Sequence, residues 1–440
     1  MLPTSDAPSA ELDRLRQSLV QDPDDGAALL SLARLCRRLG DVSGAAVVLD
    51  RLIERAPADR AALLERVYLL RRLDRVDEAL TFADRLIEIA PNWPLAWVTR
   101  GTLLHRLERF DAAIDDYRRA LTLDPDFAPA LFSLGFTLLL LGRWREGLAA
   151  FEARRRLPIR VPPPVDLPDW TGTEPPGCRI LVWNDQGFGD ALQYLRFVPT
   201  LVRRGYRPIL RLAPELVRLV RSLSPDVMVL EPSDPDPPIE RQIPLGSLAW
   251  RLGLETSDGS WTGPYLSAPA GPRLRLRPGL KVGLVWAGSA SHDNDTRRSL
   301  GLAALAPLFD VPGVAWYSLQ IGPRGADLAG LSLPIEDLAP GIGDFADTAS
   351  RLMQLDLLIS VDTSIVHLAG ALGRPVWMLV ARPADWRWLA DGEATGWYPS
   401  VRLFRQPRPG DWSTVVASVR NALAARVLSP GPCATRTSDR

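Results

Sequence analysis

Ile180-Leu181-Val182-Trp183-Asn184-Asp185-Gln186-Gly187-Phe188-Gly189-Asp190 decides how the second half of this chain is read. The apolar run has the length and character of a buried strand. Gly187 and Gly189 allow a tight turn, and the pattern from about Asp190 to Arg204 predicts a helix. A second stretch of this form, Leu357-Leu358-Ile359-Ser360-Val361-Asp362-Thr363-Ser364, lies about 170 residues downstream and also leads into a helix, ending at about Leu372. Strand, turn and helix in that order aim free backbone N–H groups at an anion. One such loop in each half of an α/β region predicts two lobes facing each other across a cleft, and a nucleotide-dependent enzyme.

Outward from these loops, strand-like and helix-like stretches alternate. Ile209–Leu212, Val227–Leu230, Val282–Trp286, Val314–Leu319 and Val376–Leu379 read as strands. Helices are expected over about 214–223, 345–355 and 412–425. This alternation implies parallel sheets covered by helices. The stretch from Glu231 to Arg277 is richer in proline and polar residues, and only short elements are expected there.

The first third is different. Pro23, Pro57, Pro91 and Pro125 are spaced 34 residues apart, and Pro158 follows at 33. A fixed period of about 34 is that of the tetratricopeptide repeat. Trp97, Gly101, Leu104, Ala113, Tyr117 and Ala120 fall where that repeat places its large and small residues, and Leu131, Gly135, Leu138, Gly147 and Phe151 repeat the pattern. Leu63, Val67, Leu70 and Ala79, and before them Leu29, Ala33, Cys36 and Ala45, give weaker copies. Each helix pair has an apolar face that only a stacked neighbour can bury. Such arrays bind peptides or proteins in a concave groove, or only buttress the domain that follows.

The expected layout is therefore an N-terminal helix or cap over 1–21, about four tetratricopeptide repeats over 22–158, and a Pro-rich linker over 159–177. An N-terminal lobe over 178–277, a C-terminal lobe over 278–428 and a disordered tail over 429–440 complete it. Within the linker, Asp169-Trp170 interrupts the prolines and is a candidate for docking on a neighbouring surface.

Composition bounds the function. The chain has 440 residues, 46% of them apolar and 24% charged, as in ordinary globular proteins. Formal net charge is zero, so nothing favours bulk attraction to nucleic acid or anionic membrane. Cys36, Cys178 and Cys433 are far apart and form neither a disulfide framework nor a zinc motif. No signal peptide or membrane span is visible, so a cytoplasmic location is expected.

Two motifs carry a family resemblance. Asp185-Gln186-Gly187-Phe188-Gly189-Asp190-Ala191-Leu192-Gln193 resembles the Gly-Asp loop of the lipopolysaccharide heptosyltransferases, glycosyltransferase family 9. Val361-Asp362-Thr363-Ser364-Ile365-Val366-His367-Leu368-Ala369-Gly370-Ala371-Leu372-Gly373-Arg374-Pro375 resembles that family's Asp-Thr-Gly…His-Leu-Ala segment. It departs at Ser364, where glycine is usual, and at Val380-Ala381-Arg382-Pro383, where Phe-Gly-Pro-Thr is expected. The resemblance implies the α/β GT-B fold, two Rossmann-like lobes, here following an all-α tetratricopeptide solenoid in a multidomain chain. It implies Asp190 as general base for an acceptor hydroxyl. The same carboxylate also suits a helix N-cap.

Donor contacts are expected from Gly187 and Gly189, from Asp362, Thr363 and Ser364 at the helix start, and from His367 one turn on, unless that histidine only packs the helix. Trp286-Ala287-Gly288-Ser289-Ala290-Ser291-His292 and Arg297-Arg298 form a third element. Arginines there can hold a diphosphate and neutralise a leaving group, and sequence does not rank Arg297 against Arg298. His292 and Gln320 are further candidates for donor contact. Trp386, Trp388 and Trp397 can line a sugar or acceptor site, or form an interlobe packing cluster. Asp234-Pro235-Asp236 has D-x-D spacing but lies among prolines and reads as a loop.

The layout is similar to that of the peptide O-GlcNAc transferases and flagellin glycosyltransferases. It implies an inverting transferase that takes a nucleotide-sugar as substrate, with no metal or other cofactor. The repeats would recruit a protein or peptide acceptor, flagellin being one candidate. A transferase acting on lipopolysaccharide or polysaccharide, and a non-catalytic scaffold, remain as alternatives.

Overall fold

The computed structural model describes residues 7–158, 161–253, 263–290, 292 and 294–428. The tail expected over 429–440, Ser291 and Cys433 lie outside the described residues. The chain divides into two compact units, Met1–Leu138 with Ala149–Pro158, and Leu139–Leu148 with Ile159–Arg440.

In the first unit, helix Ala7–Gln21 precedes the pairs Gly26–Leu39/Val42–Arg55, Arg60–Arg72/Val76–Ile89 and Pro94–Arg106/Phe110–Leu123. A fourth pair, Ala128–Leu140/Trp144–Phe151, follows, and its stretch Leu139–Leu148 groups with the second unit. Pro23, Pro57, Pro91 and Pro125 each stand just past a helix end, where a residue without N–H cannot continue the helix. Asp25 and Asp59 begin equivalent helices and accept backbone N–H groups from Ala27 and Ala28, and from Ala61 and Ala62.

The period extends to finer features. The turn inside each pair contains one left-handed residue: Gly40 (φ 82°), Asp74 (60°), Glu108 (58°) and Gly142 (75°). Arg72 Nη1 donates to the Arg37 carbonyl at 2.9 Å, and Arg106 Nη1 donates to the Arg71 carbonyl at 2.9 Å. Each arginine thus adds a bond to a carbonyl in the last turn of the preceding pair's first helix, where its positive charge suits the helix dipole. Gly101 is required for close approach, since a Cβ there would lie 2.6 Å from the Tyr117 ring.

The second unit holds two parallel sheets. The first contains β1 (Arg179–Trp183), β2 (Arg207–Arg211), β3 (Met228–Val229) and β4 (Arg241–Pro244), in the order β3-β2-β1-β4. The second contains β5 (Leu280–Val285), β6 (Val314–Ser318), β7 (Ile335–Asp337), β8 (Leu357–Val361), β9 (Val376–Val380) and β10 (Val401–Arg405). Its order, β7-β6-β5-β8-β9-β10, is that of the dinucleotide-binding fold. Val282, Leu284, Ile359, Val361 and Leu379 form the centre of its core, with Val416, Val419 and Leu423 of helix Trp412–Leu428 packed on it.

The expected linker is part of this unit. Trp170 is fully buried, edge-on to Tyr206, and its backbone N–H donates to the Gln242 carbonyl at 2.8 Å. The Asp169-Trp170 segment therefore continues the sheet beyond β4. The single helix expected over 190–204 is instead helix Phe188–Tyr194, a 3-10 turn Leu195–Phe197 and helix Val198–Arg203. Pro199 explains the break, because its ring crowds the carbonyl four residues back.

Candidate functional site

Each sheet reverses its strand order once, between β1 and β4 in the first and between β5 and β8 in the second. Open parallel sheets bind ligands at the carboxyl ends of their strands, in the crevice at this reversal. The loops singled out by sequence follow β1, β5 and β8, so they stand at these two points.

The Asp185 carboxylate accepts the Gly246 N–H at 3.0 Å, which ties the loop after β1 to the one after β4. Asp190, in the first turn of helix Phe188–Tyr194, accepts the Gly187 N–H at 3.0 Å. Its other oxygen accepts from Arg387 Nη2, a residue of the opposite lobe. Arg387 is buried. It also donates to Asp385 Oδ1 at 2.8 Å and Gln193 Oε1 at 2.6 Å, and its guanidinium lies 4.2 Å from the Trp386 ring centroid. Burial raises the Asp190 carboxyl above the ordinary value; Arg387 opposes this, while Asp385 and Asp185 add to it.

In the opposite lobe, Asp362 directly follows β8, and Thr363 begins helix Ser364–Ala371 without a side-chain capping bond. Asp362, Thr363 and Ser364 are half-buried. In the loop after β5, Arg298 lies flat on Gly288, where a Cβ would come 2.6 Å from its Nη2. Its side chain is 14% exposed, and its Nε stands 3.5 Å from Asp295. Gly288 N–H is held by Ser299 Oγ at 2.9 Å, so the backbone beneath the guanidinium is fixed. This gives Arg298 the defined place that sequence could not distinguish from Arg297, which is half-buried in the same short helix, Asp295–Arg298. His292 is exposed, and its Nδ1 accepts the Asn294 N–H at 3.1 Å.

Burial pushes the Asp362 carboxyl up to about 6, with Asp385 adding repulsion and Arg298 and Arg387 opposing it. The folded state then holds this proton more tightly than the unfolded chain. Stability from this group is full below the ordinary value of 3.8 and is lost as pH rises through about 6. At pH 7 the loss is about 1–3 kcal/mol. Asp362→Asn is therefore expected to melt higher than the native chain at pH 7–8 and level with it near pH 4. Calorimetry across that range checks this, and a difference that does not vary with pH would refute it.

Several sequence expectations are corrected by the geometry. Trp386, Trp388 and Trp397 are buried and offer no face to a sugar; Trp386 and Trp397 pack with Trp144 and Phe197, and Trp388 packs with His367 and Tyr398. Gln320 is buried and fully used: its Oε1 accepts from the Trp286 and Ala287 N–H groups, and its Nε2 donates to the Ala287 and Ile321 carbonyls. It shapes the loop after β5 rather than meeting a donor. His367 is buried, with Nδ1 3.0 Å from Tyr398 Oη and its ring 5.2 Å from that of Trp388. Burial and the neighbouring Arg387 hold its pKa well below the ordinary value, so it is a neutral packing histidine.

Gly189 faces protein rather than ligand, since a Cβ there would lie 2.9 Å from His367 Cδ2 and 3.6 Å from Ser364 Cα. It lets the two lobes' helices meet. Gly187 remains exposed on the loop. In the D-x-D segment, Asp234 accepts the Glu231 N–H at 2.8 Å and Asp236 pairs with Arg211.

Residues 26–69 and 94–127 match family models described as tetratricopeptide repeat. The helical unit is a tetratricopeptide array. Among similar solved structures, the tetratricopeptide protein TTC0263 of Thermus thermophilus is 26% identical, with a TM-score of 0.31, covering 34% of this chain and 84% of its own. MamA of Desulfovibrio magneticus is 21% identical, with a TM-score of 0.29, covering 34% and 83%. Protein FlbA of Caulobacter vibrioides is 28% identical over 333 residues, 66% of this chain and 54% of FlbA. The chain thus spans about half the length of that relative. A match over two thirds of the chain is longer than the tetratricopeptide array, so it reaches into the α/β unit. Among the described residues no helix is long and apolar enough to cross a membrane, and no group of His, Cys, Asp and Glu side chains is placed to hold a metal ion.

Proposed function

We propose that this chain is an inverting, metal-independent glycosyltransferase of the GT-B type, which moves a sugar from a nucleotide-sugar to a protein acceptor recruited by the tetratricopeptide array. One observation carries the reading. At the reversal point of the second sheet, Arg298 lies on a fixed Gly288 backbone, in the loop neighbouring the one that opens the uncapped helix Ser364–Ala371. A guanidinium and a helix N-terminus are the two anion-binding elements a departing nucleoside diphosphate requires.

Asp190 takes the proton from an acceptor hydroxyl. That oxygen forms its bond to the anomeric carbon as the bond from this carbon to the phosphate oxygen breaks. The electron pair leaves with the phosphate, and Arg298, Arg297 and the N–H groups at Thr363 and Ser364 stabilise it. Asp362 orients a sugar or ribose hydroxyl, and His292 is a further donor contact. Flagellin is a candidate acceptor. The FlbA match supports a shared layout of repeats and α/β unit, since it spans parts of both.

A second reading, a binding scaffold without turnover, is favoured by the ion pair that occupies Asp190. Thermal-shift measurements with UDP, GDP, ADP and CMP and their sugars address donor binding. Selective stabilisation that Arg298→Ala abolishes is expected, since a ligand at 100 times its dissociation constant adds about 2.7 kcal/mol. No shift with any of them would sink the transferase reading.

A further inference from the structure

Asp190, Asp362 and Asp385 gather around Arg387. Arg387 is shared by Asp190 and Asp385, and Arg298 is already paired with Asp295. Among the described residues Asp362 has no ion-pair partner within 4.0 Å, although it stands at the N-terminus of helix Ser364–Ala371. The groups facing it are Asp385, Arg387 and Trp388 from the loop after β9 of the same sheet and Arg298 from the loop after β5. His367, on its own helix, is neutral. Asp185 lies behind Asp190 and adds to the negative side.

A nucleotide-sugar brings a pyrophosphate diester whose two negative charges do not titrate near neutral pH. Placed on Arg298 and the helix start, it would meet the unneutralised carboxylate of Asp362. Like charges at close range cannot all remain ionised. We propose that a nucleotide-sugar binds here together with one proton, taken up by Asp362. The inference rests on the nucleotide-sugar reading and adds what that reading lacks, a way to admit a dianion beside the Asp362 carboxylate.

The balance is simple. Free Asp362 is ionised at neutral pH because its carboxyl titrates at about 6. In the complex the added charge raises that value, and one proton comes from solvent. No bond forms or breaks. Affinity then falls as pH rises above about 6, by up to tenfold per pH unit until the value in the complex is passed.

The test is calorimetric titration of the full chain with UDP-, GDP- and ADP-glucose at about pH 7.5 with EDTA present, in phosphate and in Tris. The difference in apparent enthalpy between two buffers of unlike ionisation heat counts the protons. Uptake of close to one proton is expected, with affinity up to about fiftyfold lower at pH 8 than at pH 6. Asp362→Asn should bind with no uptake and with equal affinity at both pH values. Binding without uptake by the native chain overturns the proposal and leaves the donor site standing. So does unchanged uptake in Asp362→Asn, or binding that appears only when Mg²⁺ replaces the EDTA. No heat and no thermal shift with any nucleotide-sugar overturns the donor reading itself, and the proton proposal with it.

Discussion

Replacing Arg387 with alanine is expected to destabilise the α/β unit by about 3–5 kcal/mol, the range for removing one partner of a buried ion pair. The guanidinium touches carboxylates of both lobes and the Gln193 amide, and it lies over Trp386. Without it, Asp190 and Asp385 remain enclosed with no cation, and the unmatched negative charge rather than the lost contacts sets the cost. Denaturant unfolding followed by tryptophan fluorescence reads this, because Trp386 lies under the Arg387 guanidinium and packs on Trp397. The array is a separate compact unit, so its transition must be fitted apart from that of the α/β unit. Adding Asp190→Asn and Asp385→Asn to Arg387→Ala should recover part of the loss. A cost below about 1 kcal/mol would mean that water reaches these groups and that the pair is a surface one.

Asp190→Asn is expected to act the other way round, with a small effect on folding and a large one on turnover. Arg387 keeps Asp385 as its partner, so no buried charge is stranded. An asparagine cannot accept the acceptor's proton, and transfer should fall by about 10²–10⁴-fold while donor binding persists. In the native protein the carboxyl must be ionised to act. Burial has raised its pKa, so activity should be lost as pH falls through that raised value. The measurement is transfer of labelled sugar to a protein acceptor, with melting temperature and nucleotide-sugar affinity determined on the same variant. Full activity in a folded Asp190→Asn would remove Asp190 from the base role and shift attention to Asp362.

The repeats were legible because their signal is periodic and local. Prolines, small residues at helix contacts and large core residues recur at one spacing, and each acts within or next to its own helix pair. The loops after β1, β5 and β8 were legible for a similar reason, as apolar strands running straight into glycine or hydroxyl residues. Strands β4, β7 and β10 were not. β7 is only Ile335–Asp337, β4 ends in proline, and β10 alternates arginine with apolar residues like a surface segment.

The chemistry around Asp190 was the least readable part. Arg387 sits in Asp385-Trp386-Arg387-Trp388, which reads as an aromatic patch until folding brings it nearly 200 residues back in sequence to Asp190. The one available signal was indirect: an aspartate placed to be enclosed between lobes requires a cation from somewhere. Gln320 reads as a donor contact because its backbone partners are set by tertiary packing, and the choice between contact and packing at His367 turns on Tyr398, 31 residues away in sequence.

The arginine bonds between successive repeats make the array editable in whole units. Arg72 reaches the Arg37 carbonyl and Arg106 the Arg71 carbonyl across the same sequence interval. Excising one period, residues 60–93, would bring Arg106 into register with the Arg37 carbonyl and keep the same bond across the new seam. A cut of half a period would join unlike helices and lose it. The reach of the array can therefore lengthen or shorten by duplication or loss of a unit.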